Sequence, residues 1–227
     1  MKGDRKGFKL THKTGSITHS LRYIAGWGGI LLLLGAAGCA GSQKSSYFTL
    51  YPMTWLTPKY VSEDSGISIG IGPVSISEYL NRSQIVSRAS RYEIEISDLN
   101  LWAERLDTTI PKIVSENISK ILSTDRVYIY PWTQTAPDYQ VKIDIIQFDG
   151  SIPGNVVLFS RWSLLKNGKE TDIINQQYNT RKPIAGQGYE GMVSTMSLVL
   201  YDLSHHIGET INAQFIETPT METVTPH

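Results

Sequence analysis

Val156-Val157-Leu158-Phe159-Ser160-Arg161-Trp162-Ser163-Leu164-Leu165-Lys166-Asn167-Gly168 is an extended apolar run that stops at Asn-Gly. Both residues of that dipeptide accept the positive φ values of a two-residue hairpin turn. The pattern therefore predicts a strand over 156–165 and a returning strand over about 169–179. Upstream, Tyr139 to Phe148 alternates through Val141, Ile143 and Ile145, the period of two that a strand shows when one of its faces is buried. Downstream, Met192, Met196, Val199, Leu203, Ile207, Ile211 and Phe215 step by three or four, which defines one face of a long amphipathic helix.

The preceding half of the chain repeats the order of strands followed by a helix. Tyr47–Tyr51, Ile67–Ile71, Gln84–Arg88 and Tyr92–Ile96 read as strands, and Val127–Tyr130 as a short one. Leu106, Ile110, Ile113, Val114, Ile118, Ile121 and Leu122 fall near helical spacing. Thr108 or Thr109 would cap that helix with Pro111 in its first turn, where a missing N–H costs nothing; a start near Asp98 with a kink at Pro111 is the alternative. Strands, helix, strands, helix argue for an α+β fold, a mostly antiparallel sheet with two main helices packed on it in a single domain.

Charge separates the start of the chain from the rest. The 227 residues balance 21 Lys+Arg against 21 Asp+Glu, yet residues 1–38 hold six basic residues against Asp4. An apolar run, Tyr23 to Ala37, follows this basic stretch. It is shorter and richer in glycine than the roughly 20 apolar residues needed to span a bilayer, and its layout is that of an export signal. Small residues (Gly35, Ala36, Ala37, Gly38) lead directly into Cys39, the one cysteine of the chain. This resembles the bacterial lipobox, with Ala36 where Leu is usual and Leu34 two places further out. The resemblance implies acylation of the Cys39 thiol, cleavage before it and acylation of the new amino terminus. Three chains on one residue would make release negligible, since each buried CH₂ contributes about 0.8 kcal/mol. Ala40, where Asp would favour inner-membrane retention, points to the periplasmic face of a Gram-negative outer membrane. The expected organisation is a lipoprotein signal peptide (1–38), a lipidated tether (39–46), one domain (47–216) and a flexible Thr/Pro-rich tail (217–227).

Chemistry-bearing residues are sparse after the cleavage site. Only His205, His206 and His227 remain of five histidines, and no Gly-x-Ser-x-Gly elbow accompanies them. Asp202 lies three and four residues before His205 and His206, a spacing that favours a helix-surface ion pair over a metal site. Gly70-Ile71-Gly72-Pro73 lacks a backbone donor at the Pro, so it is a strand entering a turn and not a phosphate cradle. Glu93 and Glu95 share one strand face, and a solvated face accounts for them. The mature chain is mildly acidic, which argues against a nucleic-acid partner. No catalytic residue, metal ligand or cofactor is expected beyond the covalent acyl lipid on Cys39. The aromatics Trp55, Trp102, Trp132 and Trp162 suit core filling first and a binding surface second.

Several segments, in order after the lipobox, resemble the ABC-type transport auxiliary lipoprotein family, the PqiC-like lipoproteins. They are Tyr47-Phe48-Thr49-Leu50, the run from Ile69 through Gly72-Pro73 and Tyr79-Leu80-Asn81-Arg82-Ser83-Gln84-Ile85 to Val86, Trp102-Ala103-Glu104-Arg105-Leu106, and Pro131-Trp132. Arg105 stands where the family often has Pro. The resemblance implies a non-enzymatic periplasmic lipoprotein that works as an accessory or adaptor with a mammalian cell entry (MCE) domain protein in intermembrane lipid transport, and it allows a homo-oligomer. Two other functions fit a lipoprotein of this size: capture of a small hydrophobic ligand in its own cavity, or an envelope assembly scaffold. Among the matching positions, Gly72 and Pro73 fix a turn, and Leu80, Ile85 and Leu106 fill the core. Tyr79, Arg82, Gln84, Trp102 and Glu104 are the candidate partner-binding residues, because Arg and aromatic side chains are enriched at interface hot spots. An internal role, with Arg82 pairing Glu104 to pin the loop, is the competing reading.

Overall fold

The computed structural model describes residues 43–56, 66–133, 136–167, 169 and 172–215. Cys39, the expected signal peptide, most of the expected tether, Gly168 of the expected hairpin turn and the expected C-terminal tail lie outside the described residues. Among the described residues, eight strands and two long helices follow one another as β1 (Ser46–Phe48), β2 (Ile69–Ile76), β3 (Gln84–Arg88), β4 (Ile94–Trp102), α1 (Leu106–Ile121), β5 (Val127–Ile129), β6 (Tyr139–Gly150), β7 (Asn155–Lys166), β8 (Asp172–Pro183) and α2 (Gly188–Phe215). Short 3₁₀ turns occupy Thr54–Leu56 and Glu78–Leu80.

The strands form two sheets, β1-β4-β3 and β5-β2-β6-β7-β8. Hairpin neighbours pair antiparallel, as expected: β6 with β7, β7 with β8, and β3 with β4. The pairs that close long connections are parallel. β2 runs alongside both β5 and β6, and β1 alongside β4. The sheets are therefore mixed. Chain that leaves β2, passes through β3, β4 and α1 and returns beside β2 arrives in the same direction, which a tight turn never does.

Both helices lie against the five-stranded sheet, α1 over β2 and β5 and α2 over β7 and β8, and they also pack on each other. Ile110, Val114 and Ile118 of α1, Met192, Val199, Leu203 and Ile207 of α2, and Val141, Ile143, Ile145, Leu158, Trp162 and Leu164 of the sheet make one apolar core. Gly208 permits the helix contact: a Cβ there would stand 2.7 Å from Ile121 Cγ2. Because α2 is covered on two sides, its buried face is wider than one stripe, and Thr195, Ser197 and Ser204 are buried too. Their hydroxyls donate to the carbonyls of Gly191, Val193 and Leu200 one turn back, and the same oxygens accept from the Ala185 amide, the Tyr51 amide and Asn117 Nδ2.

Helix α1 departs from both expected starts. It opens at Leu106 with Arg105 as N-cap, and Pro111 lies inside it, beyond the first turn. The Thr109 hydroxyl does not cap the end but donates to the Arg105 carbonyl at 3.1 Å. The Arg105 guanidinium binds the Asp107 carboxylate through two nitrogens, at 2.7 and 3.2 Å. That hydrogen bonding, above all, holds the Asp107 carboxyl below its ordinary range, and a carboxylate in the first turn complements the helix dipole.

Candidate functional site

The five residues singled out from the sequence all sit around the junction of β3 and β4, where Gln84 pairs with Leu101 and the Trp102 amide donates to the Ser83 carbonyl at 2.7 Å. They do not form one exposed face. Trp102 is 6% exposed and packs in the core. Its partner-binding role is corrected on that ground: strand β4 runs on past Ile96 and delivers its last side chain inward. Tyr79 is half-buried and its hydroxyl donates to Asp149 Oδ2 at 2.8 Å. Gln84 and Arg82 are partly covered, and Arg82 Nε is buried with no hydrogen-bond partner. Glu104 is exposed, but its Oε1 accepts from Lys112 Nζ at 2.6 Å. The Arg82–Glu104 pairing is therefore corrected as well: Lys112, eight residues along and on α1, takes the carboxylate.

The strongest polar constellation of this region involves three residues that the sequence did not single out. Asp149, fully buried near the end of β6, accepts from Arg88 Nε at 3.1 Å and Arg88 Nη2 at 2.6 Å, from the Tyr79 hydroxyl, and from Gln147 Nε2 at 2.8 Å. Four donors on one carboxylate offset its loss of water. The contacts join β3 of the small sheet and the Glu78–Leu80 turn to β6 of the large one. Burial, followed by the adjacent Asp149 charge, pushes the Tyr79 phenol well above its ordinary value of 10.0, and the hydrogen bond to Asp149 raises Arg88. Both Asp149 oxygens are occupied by donors from three other residues, so the cluster acts as a clasp.

The histidines are likewise held by structure. His206 Nε2 lies 2.8 Å from Gln176 Oε1, and its ring meets Trp162 edge-on and lies tilted on Tyr178. His205 Nδ1 is 3.5 Å from Glu209, one turn on. Asp202 turns away from both histidines to Lys182 on β8, at 3.0 Å, so its expected ion pair exists with a different partner. Among the described residues no group of His, Cys, Asp and Glu is arranged to hold a metal ion.

Surface concavity occurs elsewhere. A groove of about 510 Å³ is lined by Ser68, Tyr128, Ile129, Pro131, Trp132 and Pro137. Trp132 and Pro137 lie directly over Gly70, leaving no room for a Cβ. A second, of about 330 Å³, lies between the segment after β1 and the start of α2, where Phe48, Tyr51, Met53, Trp55 and Val193 meet.

Comparison with known proteins decides the family. The model of the ABC-type transport auxiliary lipoprotein component matches residues 49–208. The chain belongs to that family. The auxiliary lipoprotein fold recurs in solved structures: protein XCC0632 from Xanthomonas campestris, described by the family model DUF330, aligns with TM-score 0.63 and 14% identity over 75% of this chain and 97% of its own. A crystal structure named only as an uncharacterized protein aligns with TM-score 0.61 and 20% identity over 74% of this chain and 99% of its own. At these identities the likeness is one of fold. No curated protein matches the chain in sequence. Among the described residues of this auxiliary lipoprotein, no helix is long and apolar enough to cross a membrane.

Proposed function

We propose that this auxiliary lipoprotein is a non-catalytic adaptor of an MCE-type intermembrane lipid transport system, held at the periplasmic face of the outer membrane by acyl chains on Cys39. The observation that carries the reading is the position of the family match: it begins at residue 49, ten positions after the lipobox-like cysteine, so the matched domain hangs on a leash of a few residues. A lipid in transit needs a route that excludes water, and a docking piece tied to the bilayer would meet an MCE-type tunnel there. The clasped and paired polar groups favour a scaffold over an enzyme. A carrier with its own ligand cavity is less well supported, because Trp162, Phe148 and the surrounding aliphatic side chains fill the interior and the grooves open at the surface.

Mass spectrometry of the mature protein, membrane fractionation and cross-linking in cells test this together. The expected result is an acylated N-terminus at Cys39, outer-membrane recovery that shifts inward in Ala40→Asp, and cross-links to an MCE-domain protein identified by its peptides. A mature N-terminus elsewhere would overturn the lipid anchor. An acylated protein that gives no cross-link to an MCE-domain protein would overturn the adaptor role.

A further inference from the structure

The ten residues from Tyr47 to Leu56 contain no Asp, Glu, Lys or Arg. Four of their large side chains face solvent: Tyr47 at 68% exposure, Tyr51 at 61%, Trp55 at 64% and Leu56 at 45%. Exposure of this kind is often a sign of loose chain, but this backbone is fixed. Leu50 is buried in the core, the Tyr51 amide donates to Ser197 Oγ at 3.1 Å, and the Met53 amide donates to Oδ1 of the fully buried Asn117 at 3.1 Å. Both helices thus grip the segment from behind while Tyr47, Tyr51 and Trp55 are held outward. Tyr51 and Trp55 stand with ring centroids 6.0 Å apart beside the groove that Met53 and Val193 help to line.

We infer that this aromatic face is a membrane contact that seats the domain in the headgroup zone of the bilayer carrying the Cys39 lipid. Tyr and Trp suit that zone because each joins an apolar ring to a hydrogen-bonding group. The covalent leash selects the occupant. Tyr47 follows Cys39 by eight residues, and an extended chain covers at most about 3.6 Å per residue, so this face stays within roughly 30 Å of the anchor. A rigid aromatic segment with no charge of its own, bordered by Glu190 across the neighbouring groove, meets lipid at that distance before it meets any partner across the periplasm. The inference rests on the lipid anchor proposed above.

Tryptophan fluorescence of the full mature lipoprotein, reconstituted in phosphatidylethanolamine and phosphatidylglycerol vesicles containing phosphatidylcholine brominated in the upper acyl chain, tests it. Trp102 and Trp162 are buried in the core, so lipid quenching should come from Trp55. The expected result is quenching of wild-type emission that Trp55→Phe largely abolishes and Trp132→Phe leaves in place, with both variants still floating with the vesicles. An acylated protein that floats while Trp55 stays unquenched would overturn the membrane contact and leave the anchor standing. Protection of Trp55 from aqueous acrylamide without quenching by brominated lipid would do the same, and would assign the face to a protein neighbour. A chain without acyl groups that does not float would overturn both readings.

Discussion

Trp55 and Trp102 make opposite use of the same side chain. Trp102 ends a strand that enters the core and is 6% exposed, whereas Trp55 sits on a 3₁₀ turn with 64% of its surface in solvent. Residue type made both of them candidates for a surface role, and the backbone decided between them. The segment around Trp55 is rigid without being covered; Trp102 is covered by the core, and beside it Tyr79 and Arg88 turn to Asp149 and tie the two sheets together. An aromatic residue that the fold fixes outward is better evidence of a surface than an aromatic residue in a matching motif.

The sharpest way to break that contrast is to remove each indole in turn. Trp102→Ala should lower stability by about 3–5 kcal/mol, the usual cost of emptying a large buried site, read by chemical denaturation of the purified protein. Nearly as large, Asp149→Ala should cost about 3 kcal/mol, since it strands the Arg88 charge that Asp149 neutralises. A loss comparable to that of an ordinary surface change would show that the clasp is not what joins the sheets. Tyr79 gives a smaller and pH-specific signal. Its phenol titrates higher in the folded chain than its unfolded value near 10.0, so the folded state retains a proton that the unfolded state releases. The associated stability is intact below pH 10 and falls as pH rises further. Tyr79→Phe should flatten that alkaline decline, measured by melts in buffers on either side of pH 10, and cost about 1 kcal/mol at neutral pH for the lost hydrogen bond. Trp55→Ala should be the mildest, within about 0.5 kcal/mol of wild type. A large loss of stability there would mean that the exposed face is part of the scaffold after all.

The long periodic segments were legible in the sequence because burial imposes a repeat on them. Strand β3 begins and ends where its residues predicted, the Val156–Leu165 strand differs by one residue at each end, and the helical stripe through Met192 and Ile211 is the buried face of α2. The parallel pairings were less visible, since local pattern says nothing about which way a distant strand returns. Asp149 was hidden in its role more than in its place. Continued alternation from Val141, Ile143 and Ile145 carries the inward face of β6 to Asp149, but the donors that explain a carboxylate there, Tyr79 and Arg88, lie 70 and 61 residues earlier in the chain. A register irregularity between Ile145 and Gln147 also breaks the pattern nearby, leaving Gln147 partly exposed and burying Phe148, Asp149 and Gly150 in succession. Lys112 escaped notice because it pairs across the start of α1 with Glu104, eight residues back, which the helix brings close; Asp107 was missed although its partner Arg105 is two residues away. The site residues were legible as a region, and their roles were not: type, order and spacing located the β3–β4 junction, while orientation came from strand register.

The grip behind Tyr47–Leu56 also has a mechanical side. A tug arriving along the leash first meets β1, three residues long and zipped to β4 alone. Such a ladder would peel one rung at a time. Beyond it, the pull runs into Leu50, the Ser197 hydroxyl and Asn117, whose amide nitrogen also donates to Ser204 at 3.3 Å. Strain is then divided between two helices and the interior they share. The first strand can therefore serve as a sacrificial link, yielding under load while the rest of the domain keeps its shape.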